Sequence, residues 1–316
     1  MKAKVNKGTK KRFGFVLITA MVLVGLGLYK QHTPATYDSS SDGSEIVEEQ
    51  QQTIPPDVAA HIEQEKLLAN SSPSPVLGVQ TNQTAFPIPT SVHVPILMYH
   101  YVEYVQDKND TTRISLNTTP YTLESEIKTL ADAGYTFMTN RELTDVFDGK
   151  AQLPPKPVLL TFDDGYRDFY TDAYPILKKY QAKATQYVIS GFLGYRNHLL
   201  KGQLQEIAQD GLVEIGAHTV HHVWLKGQLL KTVANEIFQS KIALEQLIGK
   251  PVVSFAYPFG AFDQQAREAV RNVGFGSALS TIAGIEQKEE NKYFLYRLRP
   301  GGRTGKALLA WLENQK

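Results

Sequence analysis

Two adjacent carboxylates stand at the end of an apolar run: Val158-Leu159-Leu160-Thr161-Phe162 leads into Asp163-Asp164-Gly165. Like charges side by side next to a hydrophobic strand are costly unless something positive compensates them. A divalent cation would do so, with one carboxylate binding it and the other left free as a base. An Asp-Gly turn is the plainer reading of these residues alone. A second group is His218-Thr219-Val220-His221-His222, in which His218 and His222 stand four apart. One helical turn would place both imidazoles on one face, a spacing suited to two ligands of a single ion. Either histidine alone would read as a surface or packing residue. His100 follows the apolar stretch Val94–Tyr99, and the turn Tyr257-Pro258-Phe259-Gly260 follows Val252–Ala256. Neither carries chemistry by itself.

The elements that must position these residues follow from periodicity. Val94–Tyr99, Tyr135–Met138, Val158–Phe162, Ala184–Ile189, Leu212–Ile215 and Val252–Ala256 read as strands. Between them, apolar residues recur at helical spacing: Leu123, Ile127 and Leu130 before Gly134; Ala173, Ile176, Leu177 and Tyr180; Leu204, Ile207 and Ala208 before Gly211; Ile237, Lys241, Leu244 and Ile248 before Gly249. Asp263 is an N-cap for a further helix through Val273, and residues 106–119, rich in Asp, Asn and Thr, read as a loop. Strands alternating with helices predict a parallel α/β sheet, closed or nearly closed into a barrel, with an open doubly wound sheet as the alternative. Asp163, Asp164, His218, His100 and the 257–260 turn then all fall just past carboxyl ends of parallel strands, the rim on which such folds assemble their sites. Two His with one or two Asp make an open nitrogen–oxygen set of the kind that holds catalytic Zn²⁺.

Composition narrows the alternatives. The 316 residues carry a net charge of +1, which makes no case for a nucleic-acid partner, and no cysteine, so a metal must be held by His and carboxylate. Lys2, Lys4, Lys7, Lys10, Lys11 and Arg12 precede an uncharged apolar run from Phe13 to Tyr29. That pattern predicts an uncleaved signal anchor over residues 1–30, crossing the cytoplasmic membrane through residues 13–29, with the remainder outside the cell; cleavage would make it a secreted protein. Residues 31–92, with Ser39-Ser40-Ser41-Asp42-Gly43-Ser44 and Ser71-Ser72-Pro73-Ser74-Pro75, read as a low-complexity tether that allows a short helix near Val58–Leu68, and residues 93–316 as the catalytic domain.

Taken together, Thr161–Gly165, His218-Thr219-x-x-His222 and Phe255-Ala256-Tyr257-Pro258-Phe259-Gly260 resemble the first three motifs of the polysaccharide deacetylases, carbohydrate esterase family four, the NodB-type domain. The resemblance covers residues 94 to 300 and implies a distorted (β/α) barrel. It also implies Asp164, His218 and His222 as metal ligands, Asp163 as the base, and the Phe259 backbone N–H as an oxyanion donor. Two departures point to one branch. The third motif usually opens with an Arg that pairs with the base, and here that position is Ala256; no histidine follows His222 to act as the usual acid. Both resemble the poly-N-acetylglucosamine deacetylases, whose barrel is circularly permuted and whose acid comes from an early Pro-x-Leu-Met-Tyr-His strand. Pro95-Ile96-Leu97-Met98-Tyr99-His100 matches that strand, which makes His100 the acid, and Arg297 becomes a candidate for the missing arginine. The resemblance implies a divalent ion, Zn²⁺ first with Co²⁺, Ni²⁺ or Mn²⁺ as alternatives. The implied substrate is a GlcNAc-containing polysaccharide such as poly-N-acetylglucosamine or peptidoglycan; no nucleic-acid or protein partner is expected. An O-acetyl esterase on a polymer such as xylan and a non-catalytic carbohydrate-binding domain are the competing readings.

Overall fold

Alternation along the strands decides which side chains meet. In β6 (Pro157–Phe162), Val158, Leu160 and Phe162 pack in a large cluster with the helices, while Leu159 joins a smaller one with Ile96, Tyr187, Ala256, Leu279 and Leu295. The two clusters are the outer and inner faces of one curled sheet, as period-two alternation requires. The computed structural model describes residues 86–315 together with 56, 58–60 and 63. The expected anchor and most of the expected tether therefore lie outside the described residues. No helix among the described residues is long and apolar enough to cross a membrane.

In chain order the elements are β1 (Ser91–His93), β2 (Ile96–Tyr99), β3 (Tyr101–Val102), α1 (Thr111–Leu116), β4 (Asn117–Thr118), α2 (Pro120–Asp132), β5 (Thr136–Met138), α3 (Asn140–Phe147) and β6. After β6 come α4 (Tyr174–Tyr180), β7 (Ala184–Val188), α5 (Lys201–Asp210), β8 (Val213–Ala217), α6 (Leu230–Ile248), β9 (Ser254–Ala256), α7 (Gln264–Asn272), β10 (Ser277–Leu279), β11 (Glu286–Lys288) and α8 (Gly305–Glu313). The main sheet runs β10-β9-β8-β7-β6-β2, with β5 also paired to β6, and every pairing in it is parallel. Residues 295–298 bridge its two ends. Leu295 N–H donates to Ala278 O at 2.8 Å, and Leu298 N–H donates to Ile96 O at 2.8 Å. The sheet is thus a curled parallel half-barrel whose two ends the bridging segment joins.

Two expectations need correction. The stretch 106–119 holds a short helix, α1, because the Asp110 side chain accepts from Arg113 N–H and caps it. Helix α3 was not foreseen from periodicity; the local signal is a capping box, with Thr139 and Glu142 satisfying each other's backbone N–H groups. Inside the barrel, Gly216 of β8 lies against Tyr187, where a Cβ would stand 2.3 Å from the ring, so only glycine admits the tyrosine there.

Helix α2 buries an acid behind the strand that carries His100. Glu126 is fully buried; Tyr99 Oη donates to its Oε2 at 2.9 Å, while Oε1 has no partner. Burial pushes this carboxyl from its ordinary 4.5 up to about 7, against the Tyr99 hydrogen bond. Between those two values the folded chain keeps a proton that the unfolded chain has released. Stability drawn from the neutral carboxyl is therefore complete below pH about 4.5 and is lost as the pH rises through about 7. Glu126→Gln should flatten the pH dependence of the urea midpoint across that window and leave the variant more stable than the parent at pH 8. An unchanged pH profile would contradict the assignment.

Candidate active site

The inward parity of β6 continues past its end. Leu159 and Asp163 share a face, so Asp163 enters the barrel, its N–H donating to Tyr99 O at 3.0 Å. The next residue cannot follow the same path. Asp164 adopts a left-handed conformation, φ 72°, and its carboxylate meets His218 and His222 instead of Arg297. Two like charges adjacent in sequence thus receive different surroundings.

Asp163 is clamped by Arg297. Nη1 and Nη2 donate to Oδ1 and Oδ2, each at 2.8 Å, Nε donates to Ser280 O at 2.7 Å, and the guanidinium is 1% exposed. Burial alone would raise the Asp163 carboxyl, but Arg297 and then His100 more than offset it and hold it below the ordinary carboxylate value. His100 Nε2 lies 3.9 Å from Asp163 Oδ2, and the strand before it, β2, is bridged to residues 295–298 through Leu97 and Leu298. Burial lowers the His100 imidazole against the pull of both aspartates.

Asp164 faces the histidines. Its Oδ1 is buried without a hydrogen-bond donor, and His218 Nε2 and His222 Nε2 approach it at 3.3 and 3.2 Å. One ligand atom from each of the three residues lies within 4.8 Å of the others. Burial pushes Asp164 up, yet the imidazoles more than offset it and hold it well below the usual carboxylate range. His218 Nδ1 lies 2.7 Å from Ala256 O, so it carries the proton and leaves Nε2 with its lone pair toward Asp164. An orphaned buried oxygen facing two imidazole nitrogens is the donor set of a divalent ion, and these residues fit one.

The histidines do not meet by way of a helix turn, as their spacing suggested. Residues 218–222 form a loop in which Thr219 and His222 both take positive φ, 63° and 55°. Thr219 Oγ1 donates to His218 O at 2.6 Å and accepts from His222 N–H at 2.9 Å. Glu236 of α6, which sequence reasoning missed, fixes the outer half: its Oε2 accepts from Val220 N–H and His221 N–H, both at 3.0 Å, and its Oε1 lies 2.7 Å from His221 Nδ1. The available signal was a glutamate on the otherwise buried face of a long helix. His221 itself is exposed and points away from the triad. Phe259, at φ 58°, lies beside the site with its ring 4.4 Å from that of His222.

The chain is similar in sequence and in fold to several known proteins. A sequence profile described as polysaccharide deacetylase matches residues 150–278. YxkH of Bacillus subtilis (strain 168), a protein assigned to the polysaccharide deacetylases, is 33% identical over 224 residues, which cover 71% of this chain and 77% of that one. The poly-β-1,6-N-acetyl-D-glucosamine N-deacetylase of Staphylococcus aureus (strain MSSA476) is 29% identical over 188 residues, 55% of this chain and 64% of its own length, just under two thirds. Among solved structures, the Streptococcus pyogenes deacetylase PplD in complex with acetate superposes with a TM-score of 0.64 at 29% identity, covering 72% of this chain and 100% of that one. With the curled parallel sheet and the rim geometry, these similarities establish that the chain belongs to the polysaccharide deacetylase family.

Proposed function

We propose that this protein hydrolyses N-acetyl groups on a GlcNAc-containing polysaccharide, using a divalent ion held by Asp164, His218 and His222. The observation that carries the reading is the division of labour between neighbours: Asp163 is paired with Arg297, and Asp164 with two histidines. The S. aureus relative, named for removing N-acetyl groups from a glucosamine polymer, supports the substrate class. The early position of the His100 strand supports the permuted branch.

When bound, the ion supplies Lewis acidity toward the acetyl carbonyl and the attacking water. Asp163, kept ionised by Arg297, accepts the water's proton. The water oxygen bonds to the carbonyl carbon, and the Phe259 N–H is the backbone donor assigned to the developing oxyanion. His100, close to Asp163, delivers a proton to the nitrogen as the carbon–nitrogen bond breaks. Acetate and a free amine remain. The proton taken up by Asp163 is the one passed on to the nitrogen by way of His100, whose Nε2 lies 3.9 Å from Asp163 Oδ2.

Asp163→Asn should retain metal and lose at least about a hundredfold in acetate release from poly-N-acetylglucosamine. A His218→Ala, His222→Ala double variant should lose metal; metal retained at parental stoichiometry by mass spectrometry would sink the ligand assignment. Arg297→Ala strands a buried carboxylate and should cost about 3–5 kcal/mol in denaturant unfolding. Arg297→Lys, which keeps charge but not the two-point clamp, should recover part of that stability and less of the turnover. Glu236→Ala should weaken metal binding roughly 10–100-fold in chelator competition, and parental affinity would relegate Glu236 to folding alone.

A further inference from the structure

A line of aromatic rings leads outward from the metal ligands. The His218 and His222 ring centroids are 5.0 Å apart, His222 and Phe259 4.4 Å, and Phe259 and Trp224 5.5 Å with planes inclined by 28°. The last two side chains are not core. Phe259 is 53% exposed and Trp224 57% exposed. Large apolar side chains displayed together on a surface gain nothing from burial and mark binding surfaces. Phe259 is displayed at a further cost: a bulky residue held at φ 58° is a strained backbone conformation. The following Gly260 is also left-handed, at φ 66°, and admits no side chain, because a Cβ would stand 2.0 Å from Thr281 Oγ1.

The shelf is also held rigid from beneath. Leu225 N–H and Lys226 N–H both donate to Ala261 O, at 3.3 and 3.2 Å, which ties the tryptophan loop to the phenylalanine turn. Gly227 N–H donates to Asp263 Oδ2 at 2.8 Å, and Gln265 Nε2 donates to Gln228 O at 2.9 Å, which ties the same loop to the start of α7. Two loops fastened to each other and to a helix present their rings with little entropy left to lose on binding. The strain, the exposure and the fastening are what a preformed platform requires, and burial in the core does not account for the two exposed rings.

We propose that Trp224 and Phe259 form a stacking platform for a sugar ring of the polymer next to the one being deacetylated, so that Trp224 sets the affinity for extended chains. The proposal rests on the polysaccharide reading of the site. A pyranose is polar at its edge, where hydroxyl and acetamido groups project, and apolar on its faces, where axial C–H bonds project. An open aromatic face takes up the latter while leaving the edge in water. Beginning at a ligand of the metal and extending two rings outward, the platform spans a distance on the scale of one or two sugar units. Its occupant is therefore a neighbour of the reacting residue in the same chain. A monosaccharide seated for reaction would leave Trp224 uncovered.

The test uses the full chain loaded with Zn²⁺, Trp224→Ala and Trp224→Tyr, and penta-N-acetylglucosamine in β-1,6 and in β-1,4 linkage. Trp224→Ala should raise KM for the reactive pentamer about tenfold with kcat held within about twofold, the signature of lost uniform binding. Trp224→Tyr, which keeps a stacking face, should recover most of the affinity. Trp224 is one of two tryptophans in the chain, so pentamer should also change the parent's intrinsic fluorescence and leave that of Trp224→Ala unchanged. Parental KM in Trp224→Ala, with metal bound and acetate released, would overturn the platform. A fluorescence response without acetate release from either pentamer would uphold the platform and overturn the deacetylase reading instead. A fall in kcat at constant KM would assign Trp224 to the reacting geometry and overturn the affinity role.

Discussion

The paired contact between Arg297 and Asp163 is the constraint on which the rest of the site depends. A carboxylate placed inside an apolar barrel next to a second carboxylate is unstable in its charged form, and in isolation it would take up a proton. A guanidinium stays charged under these conditions and presents two parallel donors that match both oxygens. The segment that supplies it is also the one that bridges the sheet, since residues 295–298 bond to Ile96 and Met98 on one side and to Ala278 and Ser280 on the other. Barrel curvature and the charge state of Asp163 are thus set by the same four residues. Any opening of that seam withdraws the cation from the acid it compensates.

The second constraint is conformational. Asp164, Thr219, His222 and Phe259 all hold positive φ, and all lie in the loops of the rim. Such conformations cost about 1–3 kcal/mol each and persist only where surrounding bonds over-determine them. Those bonds are visible: the Thr219 hydroxyl spans His218 and His222, and Glu236 holds the two backbone N–H groups between them. The strain turns Asp164 toward the two histidines and brings His222 round to meet it. Without it, the pleat would send neighbouring side chains to opposite faces, and the three ligand atoms could not converge.

Much of this was legible in the sequence because its signals are local and chemical. The apolar run into Asp163-Asp164-Gly165, the histidine spacing and the strand into His100 could be read one stretch at a time, and parallel topology then placed their ends on one rim. The route by which His218 and His222 meet was not legible. Four-residue spacing is the same for a helix turn and for a strained loop, and only tertiary bonds to Thr219 and Glu236 choose between them. Helix α3 escaped because its buried residues include Asn140 and Thr144, which bond to Thr185 and Ser277 inside the barrel and disguise an inward face as polar. Glu236 escaped for a related reason: on a helix, a buried acid and a solvated acid look alike until its partners are known.

Ala256 shows how an apparent loss can be a relocation. The resemblance places an arginine at this position, and alternation along β9 turns Ala256 into the barrel, in the same inner cluster as Leu295. Leu295 and Arg297 share a face of the bridging segment, so the guanidinium enters the space that a side chain at position 256 would also enter. Two arginines on one buried carboxylate would leave a positive charge without a partner, at an expense far above that of a methyl group. An alanine at 256 adds no second buried charge beside Arg297. The Ala256 carbonyl meanwhile fixes the His218 ring at 2.7 Å, a task that falls to the backbone and survives any change of side chain. A domain drifting toward mere carbohydrate binding would be expected to lose the charge opposite Asp163. Here the charge is supplied from the bridging segment with both hydrogen bonds made, which supports the proposed hydrolytic reading over the binding one.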